Sequence, residues 1–159
     1  MRFFGLLVLI LVGLDQVIKY WVRLNLHAGS NIELIPNLIH LTHQENQGIS
    51  FSLLADLPDI VRVPLLAGVS LIVVVILCIY VYRNWGGLTR AEMWGFSLII
   101  SGAVGNLIDR AFRQSVTDYM YFHFYETGFF VNNLADDLIS IGFVIMLFQA
   151  FKGQKPDSA

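Results

Sequence analysis

The chain has 159 residues, 56% of them hydrophobic and 14% charged, with a formal net charge of -2 and a mean hydropathy of +0.65. That is too apolar for an ordinary soluble domain of this size, so a membrane is the natural solvent. The charge balance supplies no clustered Lys and Arg for phosphate neutralisation, which excludes nucleic-acid binding. The single cysteine, Cys78, lies inside an apolar run, which excludes an intrachain disulfide or a thiolate cluster.

In chain order, the first apolar run spans about 3 to 24. No small-residue cleavage site follows it; it passes instead through Asp15, Gln16 and Lys19 into Tyr20 and Trp21. This predicts a retained membrane helix with polar groups near its far end. Residues 25–60 form a long connection in which Ile32 to His43 is rich in strand formers, with a turn at Pro36-Asn37, so a small sheet is expected there. A second helix is predicted over about 61 to 82, free of charge from Val63 to Tyr82, with Pro64 in its first turn.

A short turn, RNWGGLTRAE, leads to a third helix over about 93 to 111. Gly95, Ser97, Ser101, Gly102 and Gly105 allow close backbone approach in lipid, so this helix is expected to be the central packing element. Residues 112–133 form a second long connection, dense in aromatics from Tyr119 to Tyr125, which suit a membrane interface. A fourth helix follows over about 134 to 151. The fold class predicted is a mainly α membrane protein: four transmembrane helices with a small β-sheet region outside the bilayer and interfacial loops. One domain, 1–152, is expected, followed by a flexible tail at 153–159.

Four consecutive spanning helices place the end of the first, the start of the second, the end of the third and the start of the fourth on one side. Asp15, Lys19, Asn46, Asn106, Asp109, Arg110, Asp118 and Asp136 all fall at that end. Ionisable groups at membrane depth are expensive and face a protein interior or a wet cavity, so their convergence predicts a site. Asp15 and Lys19 are four apart and share a helix face; Gly102, Asn106 and Arg110 recur at the same interval.

Each element also has a plainer account. Asp15 with Lys19 serves equally well as a neutralising pair, and Asn133 with Asp136 reads as an N-cap followed by a first-turn acid. Asp118 fits a loop acid bonded to backbone, and Arg110 and Arg113 fit snorkelling anchors. None of these explains why the polar groups gather on one side. Other chemistries fit less well. His40 and His43 point to opposite faces of a strand, His27 and His123 have no evident partners, and a Lys19 base beside Ser50 or Ser52 is not required by any spacing. No metal or cofactor is expected.

Counting Lys and Arg on the two sides gives five against five, so charge alone does not orient the chain. The acids are uneven: Glu92 and Asp157 on one side, the other ten on or near the opposite one.

Several ordered motifs, from about Leu14 to Phe148, resemble the bacterial lipoprotein signal peptidase (signal peptidase II) family. They are Leu14-Asp15-Gln16-Val17-Ile18-Lys19, Asn46-Gln47-Gly48-Ile49-Ser50-Phe51-Ser52, Gly102 through Arg110, Val116-Thr117-Asp118-Tyr119 and Asn133-Leu134-Ala135-Asp136. Ile18, Tyr119 and Asn132 depart from the usual residues without removing a group the chemistry needs.

The resemblance implies an aspartic endopeptidase with Asp118 and Asp136 as its catalytic pair. It implies that Asp15, Lys19, Asn46, Gly48, Gly102, Asn106, Arg110, Asn133 and Ala135 bind substrate or support the site. The implied substrate is a diacylglyceryl-modified prolipoprotein, cut before its lipidated cysteine; the implied partners are membrane lipids, and the implied state is a monomer. The implied location is the bacterial inner membrane, both termini cytoplasmic and the site near the outer face. The rival readings are a small transporter component, which predicts polar groups at the midplane, and a non-enzymatic membrane scaffold.

Overall fold

The computed structural model describes residues 1–48 and 58–153. Ile49, Ser50, Phe51 and Ser52 of the second motif, and the expected tail from residue 154, lie outside them. Four helices, α1 (Arg2–Asn25), α2 (Asp59–Asn84), α3 (Arg90–Arg113) and α4 (Leu134–Gly153), are each long and apolar enough to cross a membrane. They extend the apolar runs by up to three residues at an end, because the helical backbone continues past the hydrophobic stretch into flanking polar residues such as Arg2, Asn25, Asn84 and Arg113.

At the start of α3 a side-chain cap contributes. Thr89 and Glu92 form a reciprocal capping box, with the Thr89 N–H donating to Glu92 Oε2 at 2.7 Å and the Glu92 N–H to Thr89 Oγ1 at 3.2 Å. In α2 the earlier start at Asp59 corrects one expectation. Pro64 falls in the second turn rather than the first, where it removes the N–H that the Ile60 carbonyl would otherwise accept from.

α3 is central, packing against α1, α2 and α4. Its small residues make this possible: an added Cβ at Gly102 would meet the Ala135 carbonyl oxygen at 2.1 Å, and one at Gly142 the Gly95 carbonyl oxygen at 2.7 Å. α3 and α4 therefore touch backbone to backbone, as helices do in lipid where close packing replaces a hydrophobic drive.

Both long connections enter one four-stranded antiparallel sheet of order β1-β2-β3-β4: β1 (Asn31–Ile35), β2 (Ile39–Asn46), β3 (Val116–Phe124) and β4 (Thr127–Asn132). β1 and β2 are the expected sheet, turning at Asn37 with φ 60°. β3 and β4 were not anticipated as strands. Val116 to Tyr119 are all buried, so β3 is covered on both faces and lacks the polar–apolar alternation that marks a half-exposed strand. On the face toward α1, Tyr119 packs with Val22 and Leu26. This seats the sheet on the bundle end where α1 and α3 finish and α4 begins.

Candidate active site

The site is organised around the first turn of α4. Three N–H groups there, which no helical carbonyl can reach, are each taken by a side chain. Leu134 donates to the Tyr119 hydroxyl at 3.1 Å, Ala135 to Asp15 Oδ1 at 3.1 Å, and Asp136 to Asn133 Oδ1 at 3.1 Å. Burial holds the Tyr119 hydroxyl well above its ordinary titration range, so it stays a neutral acceptor. One residue from β3, one from α1 and one N-cap thus fix where Asp136 projects.

Asn133 acts twice. Its Oδ1 caps α4, and its Nδ2 donates to Asp118 Oδ1 at 2.5 Å. The N-cap account from the sequence is therefore correct, and the same amide also holds an acid on another element. Asn46 on β2 donates to Asp118 Oδ2 at 3.0 Å. It pairs directly with Val116, so Asp118 lies at the diagonal position on the same sheet face, within cross-strand reach.

Burial, and then the charge of Asp136, push the Asp118 carboxyl up to about 6 against the opposing effect of the Asn46 and Asn133 amides and Lys19. Asp136 accepts from Asn106 Nδ2 at 2.8 Å. Both acids line one cavity of about 580 Å³ together with Asn46, Asn106, Arg110 and Phe130.

Behind Asn106 is a buried ionic cluster. Lys19 Nζ lies 2.9 Å from Asp15 Oδ2, 2.9 Å from Asp109 Oδ2 and 2.9 Å from Asn106 Oδ1, with the three charged side chains fully buried. Two carboxylates around one ammonium leave a negative charge, and Arg23, 3.8 Å from Asp109, brings the set to balance. Gln16 ties this cluster across helices by donating to Asp15 and to the Gly105 carbonyl. The Lys19–Asn106–Asp136 chain orients the Asn106 amide: its oxygen faces the ammonium and its nitrogen faces Asp136.

All the residues singled out from sequence reach this region, in different capacities. Asp118, Asp136, Asn46, Asn106 and Arg110 line the cavity. Gly48 is buried beside it, its N–H donating to Asn46 Oδ1 at 3.0 Å and its carbonyl accepting from Arg110 at 3.3 Å. Arg110 is thus turned toward the acids rather than snorkelling, whereas Arg113 is exposed. Asp15 and Lys19 sit in the ionic cluster, and Gly102 and Ala135 form the α3–α4 contact instead of lining the cavity.

Sequence reasoning assigned no role to Gln16, Arg23, Glu45, Thr117 or Tyr119. Glu45 joins β2 to β3 by accepting from Ser115 at 2.5 Å and Thr117 at 2.9 Å; burial opposes its charge, but these bonds and His43 hold its carboxyl below the usual range. The Glu45–Thr117 pairing is a sheet register, invisible without knowing that β2 and β3 adjoin. His123, with no partner evident in the sequence, contacts His40 at a ring-centroid distance of 4.2 Å and the Tyr125 carbonyl at 2.8 Å. No group of three or more metal-ligating side chains occurs among the described residues.

A family profile described as Signal peptidase (SPase) II matches residues 7–152. Among curated relatives, a lipoprotein signal peptidase of Bartonella tribocorum is 36% identical over 143 residues, covering 88% of this chain and 81% of its own. One of Brucella ovis is 37% identical over 148 residues, covering 92% and 88%. Two solved bacterial membrane enzyme structures superpose with TM-scores of 0.84 and 0.81 at 22% and 23% identity. The first covers 100% of this chain and 95% of its own, the second 99% and 96%, which establishes the shared fold. With a profile match over most of its length and relatives of this similarity, the chain is a multi-pass bacterial membrane protein that belongs to the signal peptidase II family of peptidases.

Proposed function

We propose that residues 1–152 act as one domain, functional as a monomer, and constitute an aspartic endopeptidase that cuts diacylglyceryl-modified prolipoproteins just before the lipidated cysteine. The observation that carries this reading is the pairing of Asp118 and Asp136 on one cavity, with Asp118 pushed up to about 6 by burial and by its neighbour's charge. Two close carboxylates do not both ionise comfortably, so the pair holds one proton between them.

The ionised member takes a proton from a water as that water attacks the scissile carbonyl. The protonated member donates a hydrogen bond to the carbonyl oxygen and then supplies its proton to the leaving amine. The amides of Asn46, Asn106 and Asn133 keep both carboxyls in position without titrating themselves. Arg110, on the cavity wall, offers positive charge to the oxyanion as it forms. The acyl chains remain in lipid between helices while the peptide enters the polar cavity, with both termini cytoplasmic and the site near the outer face.

The decisive experiment is cleavage of a diacylglyceryl-modified prolipoprotein by purified wild type, Asp118→Asn and Asp136→Asn, with folding checked in parallel. Each variant is expected to fold and to lose at least about 10²-fold to 10⁴-fold in rate, the scale of general acid–base catalysis. Near-normal turnover in either folded variant overturns the assignment and favours a scaffold.

A further inference from the structure

At the bundle end opposite the sheet, the start of α1 meets the α2–α3 turn around a second cavity of about 250 Å³. Its walls include Phe3, Phe4, Trp85, Met93, Trp94 and Arg90. Edge-to-face contacts, Phe3 on Trp94 at 5.9 Å and Phe4 on Trp85 at 5.4 Å, build these walls. Phe3 is 68% and Trp94 46% exposed, so the crevice opens sideways to whatever surrounds the bundle, and around a spanning bundle that is lipid. Its volume is below the roughly 300–1,000 Å³ of clefts that enclose a small molecule. A length of acyl chain suits it better.

The rim gives the headgroup chemistry. Arg2, Arg83, Arg90 and Lys152 are exposed at this end, and among the described residues none of them forms an ion pair. The one acid described there, Glu92, is engaged with Thr89 in the cap of α3. At the sheet end, by contrast, three of the five cations, Lys19, Arg23 and Arg62, face carboxylates. Arg90 also occupies the first position of α3, where the helix dipole disfavours a cation, so its charge gains nothing from the helix it begins.

We propose that this crevice binds one anionic glycerophospholipid, its phosphate at Arg90 and an acyl chain against Phe3 and Trp94. Indole rings at headgroup depth over an apolar slot, beside an uncompensated guanidinium, complement such a lipid and discriminate against one whose headgroup carries no net charge.

The test is native mass spectrometry of the purified full chain in detergent doped with equal amounts of phosphatidylglycerol and phosphatidylcholine. Wild type is expected to retain one phosphatidylglycerol in preference to phosphatidylcholine. Arg90→Gln is expected to lower that occupancy about fivefold, the effect of one cation at a charged lipid surface, and Trp94→Ala to lower retention of both lipids. Arg113→Gln, an exposed cation at the other end, should leave occupancy unchanged, and Arg90→Gln should cleave prolipoprotein at the wild-type rate. Equal retention of the two lipids by wild type overturns the proposal without reference to any variant. So does undiminished phosphatidylglycerol on Arg90→Gln, or an equal loss on Arg113→Gln.

Discussion

Asp118 is held between opposing influences: burial and the Asp136 charge favour its neutral form, while amide donors from Asn46 and Asn133 favour the ionised one. If the active pair carries a single proton, kcat/KM falls as pH rises through about 6, where that proton leaves. Asn46→Ala removes a donor to the charged form, which raises the carboxyl further, so this alkaline limb is expected to move to higher pH. A pH–rate profile of the variant checks the sign; an unmoved or lowered limb contradicts it. The ionic cluster invites a second substitution. Lys19→Met leaves Asp15 and Asp109 buried around an apolar group, with only Arg23 nearby, and is expected to destabilise the protein by about 3–5 kcal/mol. A marked fall in the thermal unfolding midpoint in detergent checks it. The Asp15–Lys19 pair was legible because four-residue spacing is a local signal. Its third member, Asp109, stands on another helix and has no such signature, although the residue itself was visible near the site.

Helices were legible as elements because a bilayer demands about 20 apolar residues in succession, and no other structure satisfies the backbone in lipid so locally. The cap that begins α3 is subtler: the Thr89 to Glu92 box is spelled out in the sequence, ahead of the apolar run that marks the helix. Strands were legible only where a run rich in strand-forming residues and a Pro36-Asn37 turn coincided. β3 escaped because its aromatic-rich stretch from Tyr119 to Phe124 is also what a membrane-interface segment looks like. The glycines of α3 were read correctly as contact points, and Gly102 yields a sharp expectation. Gly102→Ala drives a methyl into the Ala135 carbonyl, a backbone atom that no rotamer change can move, so α4 must shift and carry Asp136 with it. A lower unfolding midpoint together with reduced cleavage is expected. Gly13→Ala, where nothing lies within 4 Å, is expected to retain both and to gain up to about 1 kcal/mol from helix propensity.

Across the whole molecule, burial is concentrated in the central helix. In α3, 44% of the membrane-length window is buried, against 17% or less in the other three helices, whose large apolar side chains point outward to lipid. Convergence of the polar residues at one end was legible from topology alone, because four successive spans leave only two ends to choose from. The union of two distant connections into a single sheet was not. It depends on β2 meeting β3 across the whole of α2 and α3. That union divides the chain into two architectural halves at the Asn84–Thr89 turn, each a helix, a hairpin and a helix. Both carboxyls of the proposed dyad belong to the later half. Asn46, which holds Asp118, and Asp15, which anchors the start of α4, belong to the earlier one. During synthesis, a chain whose first half is already in the membrane therefore has Asn46 and Asp15 but neither acid, and not yet Asn106 or Asn133. On the proposed mechanism the site is complete only when the last helix docks, so cleavage is expected to wait until the whole chain has assembled.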